Sequence, residues 1–143
     1  MKMNKKQFLA SLSDVYVRLG SGRNGVGVFA IRPIPKGTDP FKHCDPFGGV
    51  IKVSKDELTQ SHAPESAKRM VRDFCALQDG VYYVPDYGVD AIDKSYYLNH
   101  SDRSNMTTTD KGETFVAKRK INLGEELTIS YDLFNEARHF ARR

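Results

Sequence analysis

Short apolar runs broken by glycine and proline dominate this chain, and they read mainly as strands. Asp14-Val15-Tyr16-Val17-Arg18-Leu19 alternates in character and stops at Gly20, and Val26 to Ile31 reads as a second strand entered through the glycine-rich turn from Gly22 to Gly27. The two are expected to pair. Pro33, Pro35 and Gly37 punctuate a turn, because proline fixes φ and removes a ladder donor while glycine admits positive φ. Phe41 to Val53 reads as irregular strand and turn. Asp79-Gly80 signals a tight turn, after which Val81-Tyr82-Tyr83-Val84, Thr114 to Arg119 and Leu127 to Ser130 read as further strands.

Helical signals are confined to two inserted intervals and the tail. Ser54-Lys55-Asp56-Glu57 has capping-box spacing, in which the serine oxygen and the glutamate carboxylate each accept a free backbone N–H at a helix start. Pro64 suits a first helical residue, and Ala67, Met70, Val71, Phe74 and Cys75 form one apolar stripe at i, i+3, i+4, i+7 and i+8. Asn135 to Arg142 looks like a terminal helix. The sum is a mostly β chain with short helices and no internal repeat, linker or low-complexity segment.

Composition narrows the class without naming a function. The chain's 143 residues suit one domain, residues 1–143, large enough to bury a core without disulfides or structural metal. No apolar run reaches the length needed to cross a bilayer, and Met1 to Ala10 lacks the apolar stretch of a signal peptide, so a soluble intracellular protein, cytoplasmic or nuclear, is expected, with no membrane partner. Cys44 and Cys75 lie far apart with no Cys-x-x-Cys partner, which points to reduced thiols, with Cys75 packed in the core, and to no bound metal. The net charge of +4 is spread among acidic residues, and Lys118-Arg119-Lys120 reads as a solvated strand end. A nucleic-acid partner is therefore weakly supported, since neither a basic stripe nor an aromatic stacking platform is present.

Three separated segments carry the functional signal. They are Gly25-Val26-Gly27-Val28-Phe29-Ala30, Asn99-His100-Ser101 with Asn105 behind it, and Gly124-Glu125-Glu126-Leu127-Thr128-Ile129-Ser130-Tyr131. Each alone is a plain turn, loop or strand end; in this order they resemble the SET-domain family of protein lysine methyltransferases, over roughly Val15 to Tyr131. The resemblance implies a fold of small curled β-sheets with a threaded C-terminal segment, followed here by a short tail, residues 132–143. It also implies S-adenosylmethionine as cofactor, and as partner a protein substrate presenting a lysine, such as a histone or another basic protein. The different-class alternative is a non-catalytic module that binds the cofactor or a protein through the same groove.

Residue by residue, the resemblance assigns Asn24, Gly25, Val26 and Gly27 to main-chain contacts with the methionine end of the cofactor, where a Cβ on either glycine would collide with it. Asn99 matches the asparagine whose amide binds the cofactor's amino-acid end, and His100 the residue whose main chain meets the adenine; His100 is not expected to be a general base. Tyr131 matches the tyrosine beside the transferring methyl group and is the expected catalytic residue, and Glu126 matches an acidic residue expected to be structural. The chain departs from the family pattern at Asp102, where cysteine is common, at Ser104, where proline is usual, and at Phe47-Gly48-Gly49, where many members carry Tyr-x-Gly. The Cys-x-Cys zinc cluster of many relatives is missing. Phe134 and Phe140 are candidates to cover the adenine, an assignment given to Phe134, and the lysine channel; the alternative is burial against the core.

Overall fold

The computed structural model describes residues 4–41, 50–86, 88–91 and 93–135. Strands β1 (Val17–Gly22) and β2 (Gly25–Ala30) pair antiparallel through the two-residue loop Arg23-Asn24, with Gly22 opposite Gly25. The expected pairing is present with shifted ends. Leu12–Asp14 forms a 3₁₀ turn that delays β1 to Val17, and Gly20 continues the ladder opposite Gly27. The turn after β2 is also present: Gly37 has φ +85°, and Ile34 bridges Ile121.

The middle of the chain builds a second sheet. Strand β3 (Val50–Ser54) runs into α2 (Lys55–Gln60) through the expected capping box, with the Glu57 N–H donating to Ser54 Oγ at 3.0 Å and the Ser54 N–H to Glu57 Oε1 at 2.9 Å. Helix α3 spans Glu65–Phe74 with Pro64 as its N-cap, so the helix starts one residue later than the expected Pro64. Its inward stripe is the expected one except at its start: Val71 and Cys75 are buried and Met70 and Phe74 half-buried, whereas Ala67 is exposed and Lys68 is buried in its place. Lys68 can face inward because its stem covers apolar surface while Nζ donates to Thr59 O at 2.8 Å and sits 3.5 Å from Glu65. Asp79 and Gly80, both at positive φ, close a two-residue hairpin between β4 (Ala76–Gln78) and β5 (Val81–Pro85), and the sheet order is β3-β5-β4. An additional helix, α1 (Lys5–Ser11), not expected from the apolar pattern, opens the described chain on an Asn4/Gln7 capping box.

The remaining strands are short. Strand β6 is Asn99–His100, β7 (Met106–Thr107) pairs β8 (Val116–Ala117), and β9 is Glu126–Ile129. The run from Thr114 to Arg119 is thus strand only at its centre, because Thr114 is drawn into a loop around Asp110 and Lys118 N–H turns to Asn105 O at 2.9 Å. Lys118, Arg119 and Lys120 are exposed, as expected of a solvated end. Ser130 leaves the ladder to cap a 3₁₀ turn at Tyr131–Leu133; of the expected terminal helix only Asn135, a bend, lies within the described residues. Phe47-Gly48-Gly49, Cys44 and Phe140 lie outside them.

Strand β9, last in sequence, sits between β2 and β6 in the order β1-β2-β9-β6, antiparallel to the first and parallel to the second. Asn105 secures this insertion. Its side chain is buried; Nδ2 donates to Glu126 O at 2.9 Å and Oδ1 accepts from the Thr128 N–H at 2.9 Å, supplying with one amide what a neighbouring strand would supply. Two hydrophobic clusters result. One gathers Val17, Val28, Ile34, Leu98, Met106, Leu127 and Ile129, and the other Leu58, Val71, Cys75, Leu77, Tyr82 and Val84. Tyr97, which packs against the first cluster, also meets the Phe74 ring at the end of α3 at 5.3 Å.

Asn105→Ala is expected to cost about 3 kcal/mol or more, since a buried carbonyl and a buried N–H lose their partners together, each worth about 1–3 kcal/mol. Urea unfolding measures it, and a loss below about 1 kcal/mol would mean that β9 is held by its strand ladders alone.

Burial pushes the Cys75 thiol up from 9.0 to about 11. The folded state therefore favours the protonated thiol, and the associated stability is fully present below pH 9 and is lost as the pH rises toward 11. Peptide mapping after treatment with a thiol reagent at pH 8 should find Cys75 unmodified in the folded protein and modified once it is unfolded.

Candidate active site

The three sequence segments converge where β2, β6 and β9 run side by side. The β1–β2 hairpin exposes Asn24 at its tip, Gly25 follows at φ +84° with open space where a Cβ would stand, and Val26 is half exposed. Gly25 is thus required by conformation, because L side chains rarely adopt that φ. Gly27 is crowded by contact. A Cβ there would overlap Glu126 Oε2 and lie 3.0 Å from Asn99 Nδ2, so a side chain at this position would displace the Asn99–Glu126 pair. The crowding at Gly27 comes from the protein's own Asn99–Glu126 pair, a cause that its sequence neighbours do not reveal.

Asn99 is held on two sides. Its Nδ2 donates to Glu126 Oε2 at 2.8 Å and to Val26 O at 3.1 Å. Both acceptors are oxygens, so the nitrogen must face them, and Oδ1 is the one polar group of the amide left to meet a donor. Asn99 itself pairs with Thr128, and His100 with Ile129, in the parallel ladder.

Tyr131 stands at the end of β9 with its ring buried. Its hydroxyl donates to Leu98 O at 2.6 Å, the residue immediately before Asn99, and its backbone N–H donates to His100 Nδ1 at 3.0 Å. A tyrosine hydroxyl has one proton, so with that proton on Leu98 the oxygen meets any further group through its lone pairs. The Tyr131 N–H likewise fixes the neutral His100 tautomer: Nδ1 accepts, and Nε2–H donates to Asp102 Oδ1 at 3.1 Å. With Nδ1 engaged, its lone pair is committed to the Tyr131 backbone. Neither the role of the His100 ring nor that of the Leu98 carbonyl is visible in the linear motif, although Asp102 two residues after His100 is a local hint.

The tail is clamped beside Tyr131. Phe134 lies 6.0 Å from the Tyr131 ring and 5.4 Å from Phe115, and the His100 ring lies 5.2 Å from Tyr131 on another side. Gly112, at φ +89°, lets its loop press on Phe134; a Cβ there would come within 3.0 Å of Phe134 Cβ. That loop is tied around Asp110, which accepts from the Thr108 and Thr114 hydroxyls and the Thr114 N–H. The Thr114 hydroxyl is the main reason the Asp110 carboxyl is held below the usual range. Phe134 O accepts from Gln78 Nε2 and Asn135 Oδ1 from the Leu77 N–H at 2.9 Å, so the tail also grips the edge of the second sheet.

Of the residues marked by the sequence, Asn24, Gly25, Val26, Gly27, Asn99, His100 and Tyr131 therefore share one neighbourhood, and Phe134 packs against its tyrosine. Among the described residues no group of three or more His, Cys, Asp or Glu side chains is arranged to hold a metal ion, and no helix is long and apolar enough to cross a membrane.

The fold is shared with solved structures. A Chaetomium thermophilum polycomb repressive complex 2 matches with a TM-score of 0.54 at 22% identity, over 80% of this chain and 15% of that one. The same type of complex, in an autoinhibited conformation bound to S-adenosylmethionine, matches with a TM-score of 0.55 at 24% identity, over 84% of this chain and 16% of that one. This chain thus spans about a sixth of the length of those solved chains. No curated protein sequence matches it significantly. The SET domain family profile matches residues 25–132, which include all three motifs, and the chain belongs to the SET-domain family.

Proposed function

We propose that the protein is an S-adenosylmethionine-dependent methyltransferase acting on a lysine side chain of a basic protein, of which histones are one class. The observation that carries this reading is the link from the Tyr131 hydroxyl to Leu98 O, next to an Asn99 whose amide nitrogen is already committed to Glu126 and Val26. It sets two acceptors, the Tyr131 oxygen and Asn99 Oδ1, on adjoining elements. S-adenosylmethionine fits that pair of acceptors: its amino-acid end carries an ammonium from which Asn99 Oδ1 can accept a hydrogen bond, and the main chain at Asn24, Gly25, Val26 and Gly27 offers polar groups without side chains at both glycines.

When bound, S-adenosylmethionine supplies a methyl group on a positively charged sulfur. The chain's residues supply orientation. The Tyr131 lone pairs accept from the incoming amine and complement the partial positive charge of the methyl group, and the buried ring cannot swing away because its hydroxyl and its N–H are both engaged. A free lysine has a pKa near ~10.4, so the amine must lose a proton before it attacks. With His100 Nδ1 engaged by Tyr131, the proton passes to water and not to that ring. The His100 main chain and Phe134 form the adenine side of the same reading.

Incubation of the protein with S-adenosylmethionine and a panel of basic proteins, histones included, followed by mass spectrometry, should reveal methylated lysine. Tyr131→Phe keeps the ring and removes the hydroxyl; single-turnover transfer should fall by roughly a hundredfold while cofactor affinity is retained. Near-normal transfer in this variant would remove Tyr131 from the chemistry. Cofactor binding with no methylated product from any substrate would favour a binding module.

A further inference from the structure

Among the described residues, Glu126 is the acidic side chain bonded to Asn99, and its placement is constrained from several directions. Its Oε2 receives Asn99 Nδ2 at 2.8 Å, the space above it is kept open by Gly27, and its own backbone carbonyl is held by Asn105 Nδ2 at 2.9 Å. An isolated asparagine amide can turn over and present either its oxygen or its NH₂ to a ligand. Here the alternative orientation would bring Oδ1 against the Glu126 carboxylate and the Val26 carbonyl, oxygen against oxygen at hydrogen-bond distance, with no proton between them.

We propose that Glu126 is a positioning residue that locks the Asn99 amide with Oδ1 toward the ligand, so that the site selects a cofactor carrying an α-ammonium group over one that lacks it. The inference rests on the cofactor reading above and adds to it a source of selectivity. A carboxylate can only accept, whereas a glutamine in its place offers either an oxygen or an NH₂, and with the NH₂ inward the stronger of the two contacts that oppose reversal of the Asn99 amide is lost, leaving only the Val26 carbonyl. Selectivity then follows from a difference in affinities: the locked amide accepts from the ammonium, and a ligand without that group leaves Oδ1 unmatched.

The test uses calorimetric titration of the full chain with two probes, S-adenosylmethionine and its analogue lacking the α-amino group, on the wild type, Glu126→Gln, Asn99→Ala and the double variant. The wild type should prefer S-adenosylmethionine, and Glu126→Gln should reduce that preference by about tenfold, the scale of one hydrogen bond to a charged group, while affinity for the analogue is unchanged. In the Asn99→Ala background the Glu126→Gln change should have no further effect on the preference, because the glutamate acts through the asparagine. An undiminished preference in Glu126→Gln, equal losses for both probes, or full additivity in the double variant would each overturn the proposal. A wild type that binds neither probe would overturn the cofactor reading itself, and a wild type that binds both equally would overturn only the role of Glu126. Thermal melting of each variant separates these results from unfolding: a lowered melting temperature with the preference intact assigns Glu126 to packing alone.

Discussion

Strand β9 occupies the middle of its sheet although it comes last in sequence, and everything at the site depends on keeping it there. The β2 ladder on one side is antiparallel and short, with Val28 opposite Leu127 and Phe29 opposite Glu126, and the β6 ladder on the other is parallel and spans only two residues. Ladders this brief contribute little by themselves. The buried Asn105 amide adds a donor and an acceptor to the β9 backbone, and Leu127 and Ile129 are fully buried beneath it. Backbone hydrogen bonding and apolar burial thus act on the same four-residue strand, which sets the position of Glu126 at one end and of Tyr131 just beyond the other.

From that strand the two halves of the site diverge. Glu126 points its carboxylate at Asn99 and crowds Gly27, so the hairpin turn, β6 and β9 are joined by a single polar cluster. At the far end the chain tightens into a 3₁₀ turn that buries the Tyr131 ring, with the hydroxyl on Leu98 and the N–H on His100. Both contacts return to β6 or the residue before it. The asparagine and the tyrosine are consequently placed by one backbone element, which limits their relative motion.

The segment after Tyr131 ties this sheet to the rest of the molecule. Phe134 packs with Phe115 and Tyr131, and the Phe134 carbonyl and the Asn135 side chain engage Gln78 and Leu77 of the other sheet. The Asp110 loop presses on Phe134 through a residue that must lack a side chain. The two hydrophobic clusters are therefore joined in the immediate surroundings of Tyr131, so a change in how the sheets pack is felt at that ring.

Features governed by neighbours within a few residues were legible in the sequence. The Asp79-Gly80 turn and the Ser54/Glu57 capping box form as read, and the glycine-rich turn joins β1 to β2 as expected but closes over Arg23-Asn24 with Gly25 to Gly27 already in the ladder, because turn conformation and capping are local energetics. The three motifs identified the family for a related reason: their residue types and order survive translation into one dimension. The α3 stripe differs from the sequence pattern at one position, Lys68 in place of Ala67, since Lys68 is polar by composition yet buries its stem once Thr59 lies within reach of its ammonium. The strand from Thr114 to Arg119 was overextended because pairing ends where Asp110 captures Thr114. What only the tertiary structure decided is the set of contacts across long separations: Asn105 on β9, Glu126 on Asn99, and Tyr131 on Leu98 and His100. Those bonds join residues more than twenty apart, and their geometry follows from how the sheets close on their cores, so the linear sequence names the participating residues but not which atoms meet.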